Sequence, residues 1–358
     1  MLILVCDELK TKVAFFDSKM LFFLFYIQKI SMKKILKWIG YLLLVVFGLI
    51  GLWLIANYKA DIPLETMKSK YATPPSQFME VGDSVEKINV HYRDEGTAMA
   101  NSIPLVLIHG TGSSLFTWDG WVKELGKDFR IIRLDLPAYG LTGPNKNDEY
   151  SMEYYAKTVY ELLQKLNVKT CYMAGNSLGG GVAIKFALMY PTSVKKLILI
   201  DAAGYPIKSK SVPIGFRVAR MPIIKNLFTA ITPKSLVESS LKNVYANDSK
   251  VTPELVNQYW EMACREGNLQ AFVARMNQIN PAKDAAGKES WEYIKNISTP
   301  TLILWGKQDL LITLESGERL HQDLANDTLI VYPNAGHVPM EEIPIETARD
   351  AAYFLRKK

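Results

Sequence analysis

The chain has 358 residues, 49% of them hydrophobic and 22% charged, and its 42 Lys and Arg against 36 Asp and Glu leave a net charge of +6. That composition excludes a disordered or low-complexity polypeptide and leaves room for one large domain with additional segments. The basic excess sits at one end, where residues 1–59 hold eight Lys against three acids; no basic stripe with interleaved aromatics follows, so no nucleic-acid partner is expected.

Trp38 to Ala56 is a run of 19 residues without a charge. At about 1.5 Å per residue a helix of that length approaches the roughly 30 Å of bilayer hydrocarbon. Trp38, Tyr41, Trp53 and Tyr58 lie near its ends, as interfacial aromatics should. Lys29, Lys33, Lys34 and Lys37 precede it, whereas Lys59 and Asp61 follow, a bias that predicts a cytoplasmic segment over 1–37, a transmembrane helix over 38–56 and an extracytoplasmic remainder. A cleaved signal peptide is the alternative; against it, the apolar core exceeds the usual length of roughly 7–15 residues, and Ala56 and Ala60 do not give a small-x-small site. Met32-Lys33-Lys34 has the form of a bacterial signal-anchor start, which would make residues 1–31 an upstream extension whose apolar run Met20 to Ile27 is too short to span. Residues 57–70 read as a linker.

Beyond it, strand-like runs at Lys87–Tyr92, Pro104–Ile108, Phe129–Leu134, Thr170–Ala174, Lys196–Ile200, Thr301–Trp305 and Thr328–Tyr332 alternate with helical stretches, among them Met152–Leu166 and Thr347–Arg356. Several runs are apolar throughout, as strands covered on both faces should be, and the alternation predicts an α/β fold, a mostly parallel sheet with helices on both faces, over 71–203 and 295–358. Between them, 204–294 lacks the alternation and carries helical patterning at Pro253–Cys264 and Gln270–Asn280, interrupted by prolines. A structureless connection of that length is improbable on physical grounds, so a helical cap is expected. Its Phe216, Met221, Phe228, Trp260, Met262, Phe272 and Met276 suit ordinary packing as well as an acyl pocket, and its Lys208, Lys210, Arg217, Arg220 and Lys225 suit a solvated face better than a lipid-facing one.

Four places in this frame carry chemistry. The strand Leu105–Ile108 runs into His109-Gly110-Thr111-Gly112-Ser113-Ser114, a loop suited to presenting backbone N–H groups. Gly175-Asn176-Ser177-Leu178-Gly179 lies between a strand and a helix, the context of a nucleophile elbow, which makes Ser177 the candidate nucleophile and the amides of Thr111 and Leu178 the candidate oxyanion donors. Asp309 follows the strand Thr301–Trp305, and His337 follows Thr328–Tyr332 in a loop. Of the four histidines, His91 falls in an early strand, His109 at the oxyanion turn and His321 in the helical stretch Leu314–Leu324, which leaves His337 as the base. Asp201, ending the strand Lys196–Ile200, is the rival acid, while Asp135 beside Pro137 and Gly140 suits a turn role.

With His109-Gly110-Thr111-Gly112, Asp135-Leu136-Pro137-Ala138-Tyr139-Gly140-Leu141-Thr142, the Ser177 elbow, Asp309 and Gly336-His337 in this order, the chain resembles the α/β-hydrolase fold superfamily from about Tyr71 to Lys358. It is similar to membrane-anchored bacterial lipases and esterases, with meta-cleavage carbon–carbon hydrolases, which share a G-N-S-x-G-G elbow, as near neighbours. Ala138 departs from the glycine usual in that turn. Epoxide hydrolases and haloalkane dehalogenases carry Asp at the elbow centre, so Ser177 argues against both. The resemblance implies a serine hydrolase of carboxylic esters, and a cap rich in Met, Phe and Trp favours an apolar acyl group; carbon–carbon hydrolysis by the same residues is the alternative, and a binding module without turnover is a second.

No H-E-x-x-H, paired C-x-x-C or G-x-x-x-x-G-K spacing occurs, so neither a metal nor a cofactor is expected. Cys171 falls in the strand before the elbow and Cys264 in the cap, and with Cys6 expected on the other side of the membrane no disulfide framework is expected.

Overall fold

The computed structural model describes residues 32–58, 61–82, 87–97, 102–206, 209–222, 228–278 and 290–357. The expectations for residues 1–31, including an upstream extension and Cys6, lie outside them. The chain divides into two compact units, Met1–Tyr58 and Lys59–Lys358.

In the first unit Met32–Asn57 forms one helix. Its stretch Lys34–Leu52 is long and apolar enough to cross a membrane, and none of it is buried within the protein. Leu42, Leu44, Phe47, Leu49 and Leu52 all stand exposed. A helix apolar all round and uncovered by protein needs an apolar surrounding, which is why this element is a candidate membrane span.

The second unit is built on an eight-stranded sheet: β1 (Ser76–Gly82), β2 (Lys87–Glu95), β3 (Leu105–Ile108), β4 (Ile131–Leu134), β5 (Cys171–Asn176), β6 (Val194–Ile200), β7 (Thr301–Gly306) and β8 (Asp327–Tyr332). Their order is β1-β2-β4-β3-β5-β6-β7-β8, antiparallel at β1/β2 and β2/β4 and parallel elsewhere. Alternation along each strand sends neighbouring side chains to opposite faces. Val106 and Ile108 join a core with Tyr155, Val159 and Phe186, while Leu105 and Leu107 join another with Trp118, Trp121 and Ala351. β7 divides in the same way, Ile303 and Trp305 to the first core and Leu302 and Leu304 to the second. Both faces are therefore dry, and this explains the uniformly apolar strand sequences.

Strand β1 is not anticipated by its sequence. Ser76, Gln77 and Glu80 on a partly exposed edge give no apolar run, and the pairing with β2 supplies what the side chains do not. A second difference concerns 57–70, expected as a linker. Within it Leu64–Tyr71 is a helix whose Met67 is buried against Leu141 and Met262, and the Ile62 N–H donates to the Cys264 carbonyl at 2.8 Å. Much of this stretch thus belongs to the second unit.

Between β6 and β7 the chain forms helices Ile214–Ala219, Lys234–Val244, Pro253–Cys264 and Asn268–Asn277. The Thr252 hydroxyl accepts the Leu255 N–H and Pro253 occupies the first turn, a start that satisfies one orphan donor and requires none from proline. Phe228, Trp260, Leu269 and Met276 make a separate small core here.

Candidate active site

Ser177 stands between the last residue of β5 and the first of the helix Leu178–Met189, with φ +53° and ψ −116°. Such a conformation costs a side-chain-bearing residue about 1–3 kcal/mol and persists only where its surroundings enforce it. Here the Ser177 N–H donates to the Ile200 carbonyl at 3.0 Å, and its own carbonyl accepts from Gly181 at 3.1 Å and Ala203 at 2.9 Å. The close passage also demands glycine: a Cβ on Gly179 would lie 2.1 Å from the Ile108 carbonyl oxygen, and one on Gly175 2.1 Å from the Gly179 carbonyl oxygen.

His337 and Asp309 meet behind this turn. Asp309 Oδ2 lies 2.7 Å from His337 Nδ1, while Asp309 Oδ1 accepts the N–H groups of Leu311 at 2.7 Å and Ile312 at 3.0 Å. Both residues are buried. With Nδ1 as donor to the carboxylate, the lone pair falls on Nε2. The loop is held from three sides: the His337 N–H donates to Val244, the His337 carbonyl accepts from Asn176 Nδ2 at 2.9 Å, and Glu342 Oε1 accepts the Gly336 N–H at 2.6 Å. Glu342 Oε2 also accepts the Ala246 N–H at 2.8 Å, so one buried carboxylate ties the histidine loop to the segment between β6 and β7.

Asp201, the rival acid, takes a different place. Its Oδ1 accepts the Gly306 N–H at 3.0 Å, and burial, reinforced by the negative charge of Asp309, pushes its carboxyl well above the usual range. Asp135 has the turn role expected of it, accepting Leu115 N–H on Oδ1 and Leu141 N–H on Oδ2, both at 2.7 Å. It also holds buried His91 through Nδ1 at 2.7 Å, a pairing between residues far apart in sequence that no local pattern announces. His109 orders its loop: Nδ1 lies 2.8 Å from the Gly110 carbonyl oxygen, and Nε2 accepts the Leu136 N–H at 2.9 Å. Ala138, which departs from glycine, sits at φ +80°.

A pocket of about 1060 Å³, part of it open to solvent, brings Ser177 and His337 together with Thr111, Ala138 and Tyr139. Leu178 follows as the first residue of the elbow helix, where backbone N–H groups lack an intrahelical acceptor. The opposite side comes from the segment between β6 and β7, with Phe216, Phe228, Met262 and Phe272 on the lining. Trp260 and Met276 pack in the small core instead. The pocket also has polar lining that sequence reasoning missed, namely Ser113, Tyr245 and Tyr259, with Glu341 behind them. Glu341 and Glu342 lie in the short helix Pro339–Glu342, and only the tertiary structure brings their carboxyl groups to these partners.

Among the described residues, Asp201, Asp309 and His337 place potential metal-ligating atoms within 4.8 Å of one another. Hydrogen bonds engage Asp201 Oδ1 from Gly306, Asp309 Oδ1 from Leu311 and Ile312, and Asp309 Oδ2 with His337 Nδ1.

The model of the alpha/beta hydrolase fold matches residues 103–344. An uncharacterized hydrolase of Bacillus subtilis is 29% identical over 276 residues, 76% of this chain and 96% of the relative. A 2-hydroxy-6-oxononadienedioate/2-hydroxy-6-oxononatrienedioate hydrolase of Burkholderia vietnamiensis is 27% identical over 79% of this chain and 96% of its own length. Among solved structures, a meta-cleavage product hydrolase from Pseudomonas fluorescens superposes with a TM-score of 0.64 at 25% identity, covering 75% of this chain and 94% of that one.

Proposed function

We propose that this chain, which belongs to the alpha/beta hydrolase fold family and is a hydrolase, cleaves carboxylic esters with Ser177 as nucleophile, His337 as general base and Asp309 as the acid that orients it. The observation that carries the reading is the Asp309–His337 pair at 2.7 Å with Ser177 on the pocket that His337 also lines. In the proposed reaction His337 Nε2 takes the hydroxyl proton as Ser177 Oγ bonds to the ester carbon. The negative charge then developing on the carbonyl oxygen falls to the Thr111 and Leu178 amides, and the imidazolium returns its proton to the departing alcohol. Water, activated by the same imidazole, releases the acid from the acyl-enzyme and restores the serine.

The dienedioate hydrolase relative favours a second reading, carbon–carbon hydrolysis by the same residues. The pocket lining favours the ester. Among the described residues it contains no Lys or Arg, whereas a substrate bearing two carboxylates needs cationic or N–H partners to leave water. Phe216, Phe228, Leu236, Leu269 and Phe272 suit an apolar acyl chain, each buried methylene contributing about 0.8 kcal/mol. A series of p-nitrophenyl esters from short to long chain, assayed beside a meta-cleavage dienoate, tests the choice. Rising kcat/KM with chain length supports the ester reading, and dienoate turnover with no chain-length dependence overturns it. Ser177→Ala should abolish turnover while the protein stays folded.

The lysine bias around Met32–Asn57 supports a single-pass membrane anchor with a cytoplasmic N-terminus and an extracytoplasmic hydrolase unit, periplasmic or extracellular.

A further inference from the structure

One wall of the pocket is made by three hydroxyls in a chain. Ser113 Oγ lies 3.1 Å from the Tyr259 hydroxyl, Tyr259 donates to Glu341 Oε1 at 2.7 Å, and Tyr245 donates to Glu341 Oε2. Thr117 Oγ1 donates to Oε1 as well. Ser113, Tyr245 and Tyr259 line the pocket, and Glu341 stands behind them. A tyrosine has one hydroxyl hydrogen, and in all three contacts a Glu341 oxygen accepts. Both phenol hydrogens are therefore spent on Glu341, and the Ser113 hydrogen goes to the Tyr259 oxygen or to the Ser114 carbonyl 3.5 Å away. With these bonds made, the three hydroxyls of the pocket-lining Ser113, Tyr245 and Tyr259 keep lone pairs and no hydrogen to offer a ligand. Burial outweighs the three hydroxyl partners and holds the Glu341 carboxyl above the usual carboxylate range.

We propose that the Ser113–Tyr259–Tyr245 wall is a subsite for a hydrogen-bond donor on the alcohol side of the ester, so that acyl esters of polyols or of protonated amino alcohols are the preferred substrate class. The assignment rests on the ester reading above. If the apolar lining of Phe216, Phe228 and Phe272 takes the acyl chain, the polar wall is what remains for the alcohol. A hydroxyl or an ammonium N–H placed there satisfies oxygens that an alkyl group would leave unpaired. A carboxylate meets oxygen lone pairs, with no donor to replace its water.

The test holds the acyl group constant as octanoate and varies the alcohol among propyl, 2-hydroxyethyl, 2-(dimethylamino)ethyl and carboxymethyl, following acid release with the full-length protein. The hydroxyethyl ester should exceed the propyl ester in kcat/KM by about three- to tenfold, the worth of one neutral hydrogen bond, and the carboxymethyl ester should fall below it by about tenfold or more. The dimethylaminoethyl ester distinguishes an ammonium donor from a hydroxyl donor. Tyr259→Phe should bring the hydroxyethyl-to-propyl ratio towards one, and Glu341→Gln, which introduces amide hydrogens, should shrink the carboxymethyl penalty. A wild-type hydroxyethyl-to-propyl ratio of one overturns the proposal, even if neither variant folds; so does a ratio that both folded variants leave unmoved. Failure to hydrolyse any of the four esters would instead overturn the ester reading itself.

Discussion

Asp201 and Asp309 follow the neighbouring parallel strands β6 and β7, and it is Asp309 whose carboxylate reaches the imidazole of His337, at 2.7 Å. Asp201 turns to the Gly306 N–H. If Asp309 orients the base, Asp309→Asn should lower kcat by several orders of magnitude, because an amide favours the wrong imidazole tautomer. Asp201→Asn keeps an oxygen for Gly306 and should leave kcat within a few fold of wild type. Steady-state kinetics on the two variants decide the matter, and the reverse ranking would transfer the acid role to Asp201.

The same Asp201 substitution has a distinct effect on stability. Burial, then the neighbouring Asp309 charge, raises the Asp201 carboxyl in the folded protein. A raised acid holds more protons folded than unfolded, so its contribution is fully present below the unfolded value of about 4 and declines as pH rises from there through the folded value. Asn does not titrate. The Tm of Asp201→Asn minus that of wild type should therefore grow between pH 5 and pH 8 in thermal melts. Parallel curves would show that Asp201 does not bind its proton more tightly in the folded state.

How much of this was legible in the sequence depended on whether the signal was local. Strands β3, β4 and β7 are apolar at nearly every position because both faces are covered, and the Ser177 elbow is announced by glycines at short fixed spacing, Gly175 required by the Gly179 carbonyl and Gly179 by the Ile108 carbonyl of the neighbouring strand. The proposed acid and base each follow a readable strand. Strand β1 was not legible, since an edge strand with one partner owes its conformation to pairing. Nor were His91–Asp135 or the Glu341 hydroxyl cluster, whose members come from distant segments and have ordinary polar neighbours in sequence. Ala138 is intermediate: its departure from glycine marks a turn, and the φ of +80° shows what the departure entails.

That angle makes a stability prediction. The left-handed region costs a residue with a Cβ about 1–2 kcal/mol. Glycine avoids the clash but loses about 0.5–1 kcal/mol in unfolded-chain entropy. Because the Ala138 N–H keeps its bond to the Gly143 carbonyl at 2.7 Å in either case, Ala138→Gly should raise Tm by about one to a few degrees. A fall in Tm would mean that the buried methyl contributes more by packing than its backbone strain removes.

Glu342 should be among the costlier single losses outside the proposed catalytic residues. Its buried carboxylate accepts three backbone N–H groups, those of Gly336, Ala246 and Asn247, at 2.6, 2.8 and 3.3 Å. Glu342→Ala leaves them without that acceptor, at about 1–3 kcal/mol for each donor that water does not reach. It also frees the loop next to His337. Tm should drop by several degrees and kcat by an order of magnitude or more, with a milder effect for Glu342→Gln, which retains one acceptor oxygen. Unchanged kcat in a folded Glu342→Ala would show that the loop is positioned by Val244 and Asn176 alone.

The boundary between anchor and hydrolase can be located by truncation. If Met32–Asn57 spans a membrane, the full chain should sediment with membranes and resist extraction by salt and carbonate, while a chain beginning at Asp61 should remain in the soluble fraction with its activity retained. Starting later is predicted to destabilise the unit. Asp61 Oδ2 accepts the Gly267 N–H at 3.2 Å, the Glu266 N–H donates to the Ile62 carbonyl at 2.9 Å, and Met67 is buried against Leu141 and Met262. Removing 61–70 forfeits about 1.5–3 kcal/mol for the methionine alone, before the Ile62 backbone bonds are counted, whereas the exposed Lys70–Glu261 pair adds little. A chain beginning at Tyr71 should therefore melt several degrees below one beginning at Asp61. Equal melting temperatures would make 61–70 a tether after all, and extraction of the full chain by carbonate would remove the case for a spanning helix.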